Sequence, residues 1–181
     1  MKYNIDIIKN MYDQNQKLKY IFFWGHTSKN EEISKTCFSQ WYNCKFEVDN
    51  MIYKTAEQYM MAQKALLFKD NEIYKNIMNS NHPSEYKRLG RKIKNFNETI
   101  WNENKYNIVL KGNIAKFSQN ISLKNFLINT NKRIIVEASP IDKIWGIGLS
   151  QDTKNIENPH NWQGENLLGF ALMETRDYLN Q

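Results

Sequence analysis

Thr55-Ala56-Glu57-Gln58-Tyr59-Met60-Met61-Ala62-Gln63-Lys64-Ala65-Leu66-Leu67-Phe68 has the pattern of a helix capped by Thr55 and apolar nearly all the way round. A helix of that kind is buried. It nevertheless carries one carboxylate, Glu57, and one amine, Lys64. Seven residues is close to two turns, so the two project from the same face, about 10 Å apart along the axis. Burying charge is costly unless it is paired or used. An acid and an amine on one face of a buried helix is an arrangement that chemistry can use.

Working outward, Asp49-Asn50 is flanked by Phe46 and Val48 on one side and Met51 and Tyr53 on the other, the pattern of a hairpin. Before it lies an aromatic turn, Phe38-Ser39-Gln40-Trp41-Tyr42, and a polar surface loop from Gly25 to Lys35. Tyr20 to Trp24 is a short apolar run expected to form a buried strand, and residues 1–19 form a helical or loose extension. After the central helix, residues 70–80 repeat a helical pattern. Ser80 to Ser84 breaks it, and Pro83 suits the first turn of the next helix, which stops at Gly90. A long amphipathic segment over 97–118 places Ile100, Trp101, Ile108, Leu110, Ile114 and Phe117 on or near one side. A short helix is expected at 121–129, a β-branched strand at Ile134–Ala138, and a closing helix from about Glu165 to Leu179.

At 181 residues, 41% hydrophobic and 13% aromatic, the chain can form one domain without disulfides or metal. The formal charge of +6 favours polyanions such as nucleic acid, nucleotides or phosphorylated metabolites. The same lysines also read as a solvated surface, since no basic run is dense enough to mark a groove. Cys37 and Cys44, with six residues between them, do not have zinc-site spacing. Two unpaired thiols fit a reducing cytosol. Residues 1–19 lack the apolar core of a signal peptide, and no run approaches membrane-spanning length. A cytoplasmic protein with no metal and no cofactor is expected.

Two further segments can carry chemistry. In Glu137-Ala138-Ser139-Pro140-Ile141-Asp142-Lys143-Ile144-Trp145-Gly146-Ile147-Gly148, a strand runs into a turn bearing an acid, a Trp and two glycines. Strand-end loops often hold active-site groups, and glycines let a ligand approach the backbone. An ordinary Asp turn beside a core Trp reads equally well. In Asn161-Trp162-Gln163-Gly164-Glu165-Asn166-Leu167-Leu168-Gly169, the helix start can bind phosphate or simply be capped. Arg91, after Gly90, can reach a phosphate or lie on the surface. His26, His82 and His160 are scattered. Glycine-rich phosphate loops, zinc-protease motifs and nucleophile elbows are absent.

The ordered blocks FSQW, TAEQYMMAQKA, LGR, the helix of Trp101, EASPIDKIWGIG, NWQGENLLG and LMETRDYL together resemble the NADAR domain, the YbiA-like family, from about Phe22 to Leu179. The family often has Asn where Gln40 stands and His where Gln58 stands. The resemblance implies a single compact α+β domain, predominantly helical with a few short strands, over residues 20–181 behind an extension at 1–19. It implies N-glycosidase activity on ribose-linked bases. The expected substrate is ADP-ribose attached to guanine in DNA or RNA. The alternatives are phosphoribosylamino-pyrimidine intermediates of riboflavin biosynthesis, or a module that binds ADP-ribose or NAD without turnover. Glu57 and Asp142 match the acidic positions and Lys64 the basic one, giving the expected catalytic set. Phe23, Gln40, Arg91, Trp101, Trp145 and Gly146 form the expected substrate-binding set.

Cleaving an N-glycosidic bond builds positive charge at the ribose anomeric carbon, which carboxylates stabilise while activating water and protonating the leaving nitrogen. Burial raises a carboxyl pKa, which suits Glu57 to the general acid/base role. Asp142, on a glycine-rich turn, is the ionised partner. Lys64 either holds Glu57 ionised and binds a ribose hydroxyl, or attacks the opened sugar's aldehyde as an amine. Trp101 and Trp145 are candidates to stack on the base, and Arg91 to take phosphate.

Overall fold

The structure, a computed structural model, describes residues 1–27 and 32–181. The loop expected over 25–35 falls partly on residues 28–31, outside the described residues. In chain order the elements are α1 (Ile5–Asp13), β1 (Tyr20–Phe23), β2 (Phe46–Val48), β3 (Met51–Tyr53), α2 (Ala56–Leu67), α3 (Asn71–Asn79) and α4 (Pro83–Gly90). Then come α5 (Glu98–Ser118), α6 (Ile121–Ile128), β4 (Ile134–Glu137) and α7 (Leu167–Leu179). The fold is α+β and predominantly helical, as expected. Contacts divide the chain into two units, residues 40–120 and residues 1–39 with 121–181.

In residues 40–120, Asp49 and Asn50 both take positive φ, 52° and 61°. That turn geometry matches strand twist and closes the β2–β3 hairpin, with Phe46 opposite Tyr53. Thr55 caps α2 by accepting the Gln58 N–H at 3.1 Å. The first two turns of α2 are buried on every side, from Ala56 through Ala62, with α3, α4 and α5 packed round it. Two glycines allow this approach. A Cβ on Gly112 would lie 2.5 Å from the Tyr59 ring, and one on Gly90 2.1 Å from the Met61 sulfur. Asp70 ties α3 to the chain ahead of α5, accepting the Ile73 N–H at 3.1 Å and the Lys94 N–H at 2.9 Å.

The buried face of α5 differs from the expected one. Val109, Gly112, Asn113, Lys116 and Phe117 are buried. Of the predicted apolar stripe only Phe117 is fully enclosed, and Ile100 is exposed. Two polar residues occupy the true stripe because each finds a partner there. Asn113 donates to the Val109 carbonyl at 2.9 Å, and the Lys116 ammonium lies 5.6 Å from the Tyr42 ring centre.

In the other unit, β1 and β4 pair in parallel, Tyr20 with Ile134 through Phe23 with Glu137. Phe23 is buried, edge-on to Phe38 at 5.5 Å, and Phe38 meets Phe126 at 5.5 Å. Helix α7 lies against β4 so closely that a Cβ on Gly169 would sit 2.1 Å from the Ile135 carbonyl oxygen. Asn166, at φ 55° ahead of α7, completes the strand's hydrogen bonding. It accepts the Glu137 N–H and donates to the Ile135 carbonyl, both at 3.0 Å. Buried Arg176 donates to Thr130 Oγ1 and to the Arg133 carbonyl, both at 2.8 Å. The expected 1–19 extension carries α1, whose last residue, Asp13, meets His160 at 2.8 Å. Among the described residues no helix is long and apolar enough to cross a membrane.

Candidate active site

The sequence candidates fall into two groups, one in each unit. In residues 40–120 the Thr55 cap fixes the start of α2, so Glu57 stands in its first turn. The aligned backbone dipoles favour a carboxylate there. Glu57 is only 4% exposed. Its N–H donates to the Gln40 carbonyl at 2.8 Å. Gln40 is buried in turn, and its amide donates to Asn113 Oδ1 at 3.1 Å. The aromatic turn is thereby pinned both to α5 and to the first turn of α2. In this structure Gln40 positions the backbone of the acid-bearing turn.

Two turns along α2, the half-buried Lys64 ammonium donates to the Gly90 carbonyl at 3.1 Å. It lies 4.3 Å from the Phe96 ring centre and 5.3 Å from that of Trp101. Both rings attract a cation through their electron-rich faces. Burial pushes the Lys64 pKa below its ordinary range, while the charge of Glu57 pushes it back up. The face read from the sequence therefore exists: the buried acid acts electrostatically on the amine. The tight passage of α4 at Gly90 delivers the carbonyl to that amine. Arg91, next in sequence, caps α4 and is exposed.

Sequence reasoning missed Phe96. It sits among polar residues in Asn95-Phe96-Asn97 and is 45% exposed, with Phe68 edge-on to it at 5.3 Å. An isolated aromatic in a polar loop just ahead of a helix was the one available signal.

The second group lies on the loop after β4. Asp142 Oδ1 accepts the Ile144 N–H at 2.9 Å and the Trp145 N–H at 2.8 Å. Its carbonyl accepts the Gly148 N–H at 3.0 Å. The acid thus builds its own turn, and both it and Trp145 are half-buried. Gly146 is obligatory. A Cβ there would lie 2.8 Å from the Glu137 carbonyl oxygen and 3.0 Å from that of Asp142. Phe23, at the end of β1, offers its carbonyl to the Ala138 N–H at 2.8 Å, and its ring is enclosed by core. The segment is an Asp turn, as one sequence reading had it, but Trp145 is half-buried rather than core.

The NADAR domain model matches residues 22–180, a span that contains every one of these residues. The chain belongs to the NADAR family. It is 47% identical over 166 residues to an N-glycosidase of Acanthamoeba polyphaga mimivirus, covering 88% of this chain and 95% of that protein. It is 36% identical to the protein irg-1 of Caenorhabditis elegans, covering 78% and 74% of the two chains. It is 30% identical to the N-glycosidase YbiA of Escherichia coli, covering 78% and 80%. The NMR structure of Escherichia coli YbiA superposes with a TM-score of 0.72 at 27% identity, over 90% of this chain and 85% of that one. The NADAR match begins after α1, so residues 1–21 lie ahead of it.

Proposed function

We propose that this NADAR protein is an N-glycosidase that removes ADP-ribose from guanine in DNA or RNA. Hydrolysis of an N-glycosyl bond rests on family membership and on relatives that are themselves called N-glycosidases. The observation that carries the site is the α2 face. A buried carboxylate there acts on a desolvated lysine, and that lysine faces two aromatic rings. The substrate assignment draws on the net charge of +6, which favours a polyanion over a small metabolite.

In this reading Glu57 protonates the leaving nitrogen as the bond to the ribose anomeric carbon breaks. Its carboxylate then takes a proton from the water that adds to that carbon. General acid–base help of this kind is worth about 10²–10⁴-fold. Lys64 supplies either an ammonium for a ribose hydroxyl or, once neutral, an amine for the opened sugar. Its lowered pKa increases the neutral fraction available for the second role. Trp101 offers its face to the base, Arg91 a guanidinium to phosphate, and Asp142 a carboxylate on the turn that carries Trp145.

The test is an oligonucleotide carrying one ADP-ribosylated guanine. Incubation with the protein releases ADP-ribose and restores the unmodified base. Persistence of the adduct, with hydrolysis of a phosphoribosylamino-pyrimidine, would transfer the assignment to riboflavin intermediates. Tight ADP-ribose binding with no turnover of either substrate would make the protein a binding module.

A further inference from the structure

Lys17-Leu18-Lys19 and Lys132-Arg133 stand more than a hundred residues apart in sequence, and neither is dense enough to be read as a basic patch. The parallel pairing of β1 and β4 brings them together. The Ile134 N–H donates to the Lys19 carbonyl at 2.8 Å, setting the two basic segments side by side where the strands begin. They line a groove of about 640 Å³ whose other walls include Met11 and Leu18. Among the described residues no acidic side chain lines it. The nearby acid at the end of α1, Asp13, is engaged by His160. Lys17, Lys19 and Lys132 are exposed, and Arg133 is half-buried with one N–H on the Thr130 carbonyl at 3.3 Å.

We propose that this groove, lined by none of the residues assigned to catalysis, is a nucleic-acid backbone site. Four cations around a slot without acids match a run of phosphates. Among the described residues no aromatic ring lines the slot, so its contacts go to phosphates rather than to stacked bases, and phosphate contacts carry no sequence information. One wall comes from residues 11–19, ahead of the NADAR match at residues 22–180. The groove therefore belongs to this chain's extension as much as to its family domain. Its role in turnover rests on the function proposed above. Its binding role does not.

The experiment measures fluorescence anisotropy of two unmodified single-stranded 16-mers of different sequence, over a salt series, with the full chain. Four phosphate contacts predict a slope of log K against log salt of about −2.8, at about 0.7 per phosphate. Lys17→Gln/Lys132→Gln, both exposed, should lower the slope to about −1.4 and weaken binding at 50 mM salt roughly tenfold or more. Lys45→Gln/Lys75→Gln, which makes the same charge change at exposed positions of the other unit, should leave the slope near that of the parent. Equal losses in the two double variants would show a diffuse charge effect and overturn the groove. So would a parent protein that binds neither oligonucleotide, or a groove variant that loses affinity for free ADP-ribose to the same degree. With adducts as substrates, the groove variant should hydrolyse free ADP-ribosyl-guanosine at the parental rate and show a raised KM only on the oligonucleotide. If the parent hydrolyses neither adduct, the function assignment fails, while the binding series still decides the groove.

Discussion

Lys64 is held between opposing influences. Burial disfavours its charge, while Glu57, the Gly90 carbonyl and the rings of Phe96 and Trp101 favour it. Burial prevails, because the pKa is lowered. The unfolded chain therefore holds this proton more tightly than the folded one. The resulting penalty is present in full below the folded pKa. It is relieved as pH rises through that value toward the ordinary 10.5. Lys64→Met keeps the apolar stem and removes the charge. It should abolish turnover yet melt no lower than the parent at pH 7, and any advantage in Tm should shrink toward pH 10. Melting curves at several pH values check this; a Tm well below the parental one at pH 7 would mean the ammonium is a structural tie. Asp142 separates in a different way. Asparagine retains an oxygen for the Ile144 and Trp145 N–H groups, whereas alanine strands both. Asp142→Asn should therefore melt like the parent while losing turnover, and Asp142→Ala should lose stability as well, at about 1 kcal/mol per lost hydrogen bond. Activity retained in Asp142→Asn would reduce the residue to a turn-former.

At the level of elements, the passage of α7 over β4 is tested by Gly169. An added methyl meets the Ile135 carbonyl, which is backbone in a paired strand and cannot turn aside. The methyl of Gly90→Ala meets the Met61 side chain, most closely its flexible sulfur. Gly169→Ala should cost about 1–3 kcal/mol, at about 2–4 °C of Tm per kcal/mol, and Gly90→Ala clearly less. Differential scanning calorimetry of the two would show it, and equal losses would contradict the reading. Most elements were legible in the sequence because local signals agreed: Asp49-Asn50 for the hairpin, Thr55 and Pro83 for helix starts, and the β-branched run at 134–136 for a strand. What was not legible depended on partners far along the chain. The face of α5 was misread because Asn113 and Lys116 are polar, and partners distant in sequence, Gln40 and Tyr42, help make their burial acceptable. Asn166 gave no sign of bridging β4 from a left-handed conformation. The site divides likewise. Glu57 and Lys64 could be placed on one face by helical spacing alone, whereas the role of Phe96 depends on where the loop ahead of α5 folds back.

For the whole molecule, candidate groups stand in both contact units, and the NADAR match runs through both. The family likeness therefore covers the residues proposed for chemistry and not only the scaffold. The excess of positive charge is a property of the entire chain, and it bears on the choice of substrate more than on the fold. Everything proposed about turnover converges on the carboxylate in the first turn of α2. The most direct measurement is a single-turnover assay of Glu57→Gln against the parent on an oligonucleotide bearing ADP-ribosylated guanine, with melting curves of both proteins. Glutamine keeps the size of the side chain and removes its proton chemistry. The account predicts that release of ADP-ribose slows by about 10²–10⁴-fold while the folded fraction is unchanged. Release at the parental rate, or a loss no greater than the loss of folded protein, would contradict it.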